Sequence, residues 1–124
     1  MSILTRPARQ RPQRAKPIMT LSLNSEGPVP SITVRGEVDM STAHLISELA
    51  EHVVTRRPVR VILDLSQVTF FSAHGISALL RAEHAATRAE VTLILHDPAP
   101  CVTYLLAATD TRLNVDAPVA ATTP

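Results

Sequence analysis

"VILDLSQVTFFSAHGISALL", Val61–Leu80, decides the fold of this chain. Val61, Ile62, Leu63 and Leu65 form a nearly continuous run of branched apolar residues, which reads as a strand over Val59–Val68, buried on both faces as in a parallel sheet covered by helices. Ser72 then offers a helix N-cap, because its side-chain oxygen can accept one of the free backbone N–H groups. "SAHGISALLRAEHAATR" follows as a helix with Ile76, Leu79, Leu80 and Ala86 turned inward. A buried strand running straight into a capped helix is the unit of an α/β sheet, and its C-terminal edge is the usual place for a site.

On the N-terminal side, "IMTLSLN" (Ile18–Asn24) and "SITVRGEV" (Ser31–Val38) alternate apolar and polar residues, the period of half-buried strands. The turn chemistry of "NSEGPVP" between them predicts an antiparallel hairpin. "DMSTAHLISELAEHVVTRR" is then an amphipathic helix, with Asp39, Ser41 or Thr42 as its cap and Leu45, Ile46, Leu49 and Val53 as its apolar face. Arg56 and Arg57 suit its C-terminal end, and Pro58 stops it.

On the C-terminal side, "EVTLILH" (Glu90–His96) is another buried strand. "DPAPCVTYLLAAT" opens a helix capped by Asp97, with Pro98 at its first position and Val102, Leu105 and Leu106 inward. "RLNV" reads as a short final strand. The expected order is β-β-α-β-α-β-α with a terminal β: one α/β domain, a mixed and mostly parallel sheet flanked by helices. It spans residues 18–116, between a disordered basic tail over 1–17 and a flexible tail over 117–124.

Composition agrees with one domain. The chain has 124 residues, 45% of them apolar, and very few aromatics, so Val, Ile, Leu and Ala must build the core. Net charge is +1, but it is divided. Residues 1–17 hold Arg6, Arg9, Arg11, Arg14 and Lys16 and no acid, whereas the remainder has seven arginines against eleven acids, a balance of −4. Nucleic-acid binding needs a basic face, which an acidic body makes a poor expectation, although the tail could touch an anionic surface. No apolar run is long enough to span a membrane, and the N-terminus has no apolar segment of the secretory kind. The single cysteine, Cys101, excludes an internal disulfide and fits a reducing compartment; it reads as a small packing residue.

Catalytic and metal chemistry find no support in the spacing. His44 and His52 lie eight apart in one helix, His74 and His84 ten apart in another, and His96 ends a strand. None has the four-residue spacing of a helical metal pair, so no metal site is expected. Ser72 has no triad context, and three glycines, Gly27, Gly36 and Gly75, make no phosphate loop. The expectation is a non-enzyme without cofactor. What stands out is the turn from Phe70 to Ile76, where Gly75 in the first helical turn lets another backbone come close and free N–H groups could receive an anion. The spacing alone leaves two readings open, a capped helix start or a site.

"GEVDMSTA" (Gly36–Ala43), "VILDLSQVTFFSAHGISALL" and "LHDPAPCVTYLLAATDTRLNV" (Leu95–Val115) together resemble the STAS domain, the fold of anti-sigma-factor antagonists and of sulfate-transporter tails. The resemblance runs from Ile18 to Val115. It implies a cytoplasmic, non-catalytic regulator of transcription in bacterial signalling. Antagonists of the family typically read Asp-Ser-Ser-Gly at the strand-to-helix turn. An anti-sigma kinase phosphorylates the second serine, and the dephosphorylated protein binds that anti-sigma factor, which releases its sigma factor. On this correspondence Ser72 takes the aspartate position, Ala73 the first serine, His74 the phosphoacceptor and Gly75 the glycine; Asp39 matches an acidic residue of the family's Gly-Glu-Leu-Asp segment.

His74 has no hydroxyl, so the usual switch, which adds about −1.5 to −2 charge, is missing at that position. Phosphohistidine at His74, or phosphorylation at Ser72 or Ser77, would be the substitutes. The resemblance thus implies a partner surface made of Asp39, Ser72, Ala73, His74, Gly75, Ile76 and Ser77, contacting an anti-sigma factor without the standard switch. A second implication is the STAS subunit of a lipid-transporting ABC complex, bracing its ATPase with no phosphorylation needed. A small-ligand or nucleotide sensor at the same turn is a third.

Overall fold

The structure is a computed structural model that describes residues 17–116. The tails expected over 1–17 and 117–124 lie, Pro17 aside, outside the described residues. Eight elements follow one another: β1 (Met19–Asn24), β2 (Ser31–Val38), α1 (Ala43–Val54), β3 (Arg60–Phe71), α2 (Ala73–Arg88), β4 (Thr92–His96), α3 (Pro100–Ala108) and β5 (Val115–Asp116). The expected α/β order is therefore the observed one, terminal strand included.

The five strands lie in the sheet in the order of the chain, β1-β2-β3-β4-β5. β1 and β2 form the expected antiparallel hairpin, and every later pair is parallel. This order corrects one expectation. A sheet that grows in one direction through right-handed crossovers carries all its helices on one face. The strands accordingly alternate instead of being buried on both sides: Ile32, Val34 and Val38 in β2, Val61, Leu63 and Leu65 in β3, and Leu93 and Leu95 in β4 are buried. The register aligns Ile32, Leu63 and Leu95 in one row of this covered face. Ser22, Thr33, Asp64, His96 and Asp116 form a polar row on the other. In that row His96 Nδ1 lies 3.3 Å from Asp116 Oδ2, which ties the two-residue β5 to β4.

The helices pack through small residues. α1 buries Ala43, Ile46, Ser47, Ala50, Val53 and Val54, and α2 buries Gly75, Ile76, Ala78, Leu79, Ala82 and Ala86. Alanine and glycine on facing helices allow close approach, which in turn rotates bulkier neighbours outward. Leu45 and Leu80, both expected inward, are 41% and 46% exposed, and Leu49 is only partly buried. In α3, Val102 and Leu106 are buried as expected and Leu105 half-buried.

Further boundaries differ from expectation. The last strand, Val115–Asp116, shares only Val115 with the expected one, and α1 is shorter at both ends than expected, Ala43–Val54. β3 runs to Phe71, beyond Val68, because its far end pairs with Glu37 and Val38 of β2 across a bulged register. β4 begins at Thr92, since Glu90 takes a left-handed φ of 61° that ends α2. α3 starts at the second proline: Ala99 is its N-cap and Pro100 its first residue. Asp97 is left-handed and donates its N–H to the Asp116 carbonyl, so it belongs to the sheet edge and does not cap the helix.

Candidate functional site: the tip of α2

The strand-to-helix turn is set by three hydrogen bonds. Ser72 remains extended, and its N–H donates to the Val38 carbonyl at 3.0 Å, continuing the β2–β3 pairing by one residue. Its hydroxyl oxygen accepts the His74 N–H at 3.2 Å, the cap expected of a serine there. The Gly75 N–H donates to the Ser72 carbonyl at 2.8 Å. Two of the amides expected to be free for an anion are thus satisfied within the turn.

Gly75 has a definite steric role. A Cβ at this position would lie 2.5 Å from ring atoms of Phe71, the last residue of β3. The group that comes close is therefore an aromatic side chain and not the backbone expected from sequence. The ring seats the helix start on the end of its own strand.

The loop before α1 reaches the same end of the sheet. Asp39 Oδ1 accepts from the Ser41 N–H at 2.8 Å and from the Ser41 hydroxyl at 2.7 Å. The Ser41 hydroxyl, then its amide, hold the Asp39 carboxyl below the usual value of 3.8; desolvation opposes them, and hydrogen bonds from Thr42 add to the lowering. Thr42 stands at the N-cap position of α1 without a side-chain bond to the helix; its hydroxyl accepts the Asp39 N–H and donates to the Glu37 carbonyl, both at 2.9 Å. None of the three expected caps therefore sends its side chain into α1: Asp39, Ser41 and Thr42 spend their side chains on closing the loop.

The structure thus brings Asp39 and the Ser72–Ser77 segment to one end of the sheet, linked through the Ser72 to Val38 hydrogen bond. Ala73, His74 and Ser77 are exposed, Ser72 and Asp39 are half-buried, and Gly75 and Ile76 are buried. Two residues outside the expected partner surface belong to the same end. Met40, beside Asp39, is 73% exposed, and Phe70, paired with Glu37 one residue before the strand end, is 50% exposed. The signal for Met40 was present, an apolar residue between Asp39 and Ser41 in a polar loop. For Phe70 it was the alternation that turns one of two adjacent phenylalanines outward. Cys101 is half-buried with its thiol 3.7 Å from the Val68 carbonyl, in keeping with a packing residue. Among the described residues no group of histidine, cysteine and acidic side chains could hold a metal ion, and no helix is long and apolar enough to cross a membrane.

Comparison with known proteins agrees with this architecture. The unphosphorylated anti-sigma factor antagonist SpoIIAA superposes with a TM-score of 0.69 at 15% identity, covering 81% of this chain and 89% of that one. An anti-sigma factor antagonist from Mycobacterium paratuberculosis gives 0.64 at 22% identity, with 83% and 89% covered. A putative anti-sigma factor antagonist from Thermotoga maritima gives 0.69 at 14% identity, with 82% and 89% covered. No curated protein matches by sequence. At these identities the structures speak for the fold alone. The family model described as "Mlab, STAS domain" matches residues 21–113, from the middle of β1 to the segment before β5. With that match over 93 of the 124 residues, the chain belongs to the STAS domain family.

Proposed function

We propose that the chain is an anti-sigma-factor-antagonist-like regulator that binds a kinase-like anti-sigma factor through the tip of α2, without the standard serine switch. The observation that carries this reading is His74. It is exposed in the first turn of α2, where the resembling antagonists carry their phosphoacceptor serine, and it has no hydroxyl to accept a phosphate. Ala73, His74 and Ser77 are the outward residues of the surface, with the Asp39 loop beside them. Ser72, Gly75 and Ile76 shape it from within. Met40 and Phe70 add exposed apolar area at the same end of the sheet, the composition of a protein contact and not of a catalytic pocket. Function in this reading is competitive: an anti-sigma factor held here cannot hold its sigma factor. Affinity comes from shape and charge complementarity, with no bond made or broken, no cofactor and no direct contact with nucleic acid. The place of action is the cytoplasm.

A second reading is the STAS subunit of a lipid-transporting ABC complex. It is favoured by the missing hydroxyl, since a subunit that braces an ATPase needs no switch, and by the Mlab description of the matching family model. Co-purification of the full chain from its native cell, with mass spectrometry of partners and of phosphate on Ser72, His74 and Ser77, separates the two. A kinase-like anti-sigma factor without phosphate on the tip is the expected result. A transport ATPase as the one stable partner would sink the antagonist reading.

A further inference from the structure

The C-terminal halves of α1 and α2 enclose a second surface at the other end of the molecule. It is an open groove of about 740 Å³. Its cationic lining is Arg57, Arg81 and Arg88, with His84 between the last two, and Glu51 is its one acidic residue. This is unexpected on a body with seven arginines and eleven acids. Five of those seven, Arg56, Arg57, Arg60, Arg81 and Arg88, lie in the C-terminal half of α2, just after α1 or at the start of β3.

The charges are weakly engaged. Arg81 reaches Glu51 only at 4.0 Å, with its side chain 71% exposed, a contact of little energetic weight. Arg57 donates one N–H to the Ala89 carbonyl at 3.2 Å, which bridges the two helix ends and leaves the rest of its fork outward. Arg88 has no ion pair among the described residues. Arg57 also holds a left-handed φ of 54°, a place that favours glycine after a helix. An arginine there costs conformational energy that a glycine would not. Between the arginines the floor is apolar: Leu80 is 46% exposed, and Ala85 and Ala89 are half-buried.

We propose that this groove binds an acidic, partly apolar segment of a partner protein, with carboxylates on Arg57, Arg81 and Arg88 and an apolar side chain on Leu80. Planar guanidinium groups match carboxylates in pairs of hydrogen bonds, which makes arginine the suitable cation. The chain's own remaining segments cannot supply the occupant. Residues 1–16 carry five cations and no acid, and residues 117–124 carry no charged side chain. A long nucleic-acid strand needs a basic face extended well beyond three arginines and has no use for the leucine floor. The surface is separate from the tip, since His74 and Arg88 are about 21 Å apart along the helix axis at 1.5 Å per residue. It does not rest on the antagonist reading.

The test is an NMR titration of the ¹⁵N-labelled full chain with a short blocked helical peptide of glutamate and leucine, and with its glutamine-for-glutamate analogue. The expected result is amide shifts at Leu80, Arg81, His84, Ala85 and Arg88 with the acidic peptide alone, and binding about tenfold weaker in the R81Q/R88Q variant, as loss of two exposed charge pairs implies. Both side chains are exposed, and unchanged circular dichroism checks that the variant folds. Equal shifts with the analogue, shifts outside the groove only, tighter groove binding of an oligothymidylate, or concentration-dependent self-association through these residues would each overturn the proposal.

Discussion

The Phe71 ring occupies the space that a side chain on Gly75 would need: a Cβ there would meet the ring at 2.5 Å. The ring is 6% exposed and is held between strand end and helix start, so it has little room to yield. Overpacking of this kind costs about 1–3 kcal/mol, more than the helix-propensity gain of up to about 1 kcal/mol on replacing glycine by alanine. Gly75→Ala is expected to be destabilising by about 1 kcal/mol, the overpacking cost less the propensity gain, read as a lower urea midpoint with an unchanged slope. A neutral or stabilising result would mean that the ring moves freely.

Among the described residues, Ser72 is the one helix cap both expected from sequence and observed as a side-chain hydrogen bond. Ser72→Ala removes the acceptor for the His74 N–H and should cost about 1 kcal/mol, while Ser72→Asp should retain most of the stability. Urea unfolding of the two variants checks this. Equal losses in both would show that the cap contributes nothing.

Adjacent leucines in α2 provide a sharper contrast. Leu79 is fully buried, whereas Leu80 is 46% exposed. Leu79→Ala should cost about 2–5 kcal/mol and Leu80→Ala about 0.5 kcal/mol or less. Equal costs would contradict the orientation of α2.

That contrast marks where sequence reading stops. Element order, the hairpin and the Ser72 cap were legible because alternation, turn residues and capping oxygens are local signals. The outward turn of Leu45 and Leu80 was not, because it depends on alanine-rich faces of α1 and α2 meeting. Nor was the one-sided sheet: Ile62 reads as a core residue by composition, but the pleat turns it to the face opposite Leu63, and the order of strands leaves that face without helices. The tip was legible as a turn, and its partner-facing residues only in part. Ile76 was legible as an inward residue of α2, whereas the burial of Gly75 against the Phe71 ring is a tertiary fact.

Asp39 gives a pH prediction. Its folded carboxyl titrates below the unfolded value of 3.8, with the Ser41 hydroxyl as the largest cause. A depressed carboxylate contributes stability that is present above the unfolded value and lost as pH falls through the folded one. Asp39→Asn should therefore be less stable than the parent at neutral pH, with the difference shrinking as pH falls below about 3.8. Urea midpoints of both proteins across that range check the sign. A difference that grows on acidification would contradict it.

The central claim is a contact without a phosphate switch, and its most direct measurement is the affinity of the full chain for its co-purified anti-sigma factor, by calorimetry, before and after incubation with magnesium and ATP. The affinity should be the same in both conditions, with no phosphate on the chain, and binding should weaken when His74→Glu places a fixed negative charge on the tip. Loss of affinity on incubation together with phosphate on Ser72, His74 or Ser77 would contradict it, as would a His74→Glu variant that binds as tightly as the parent.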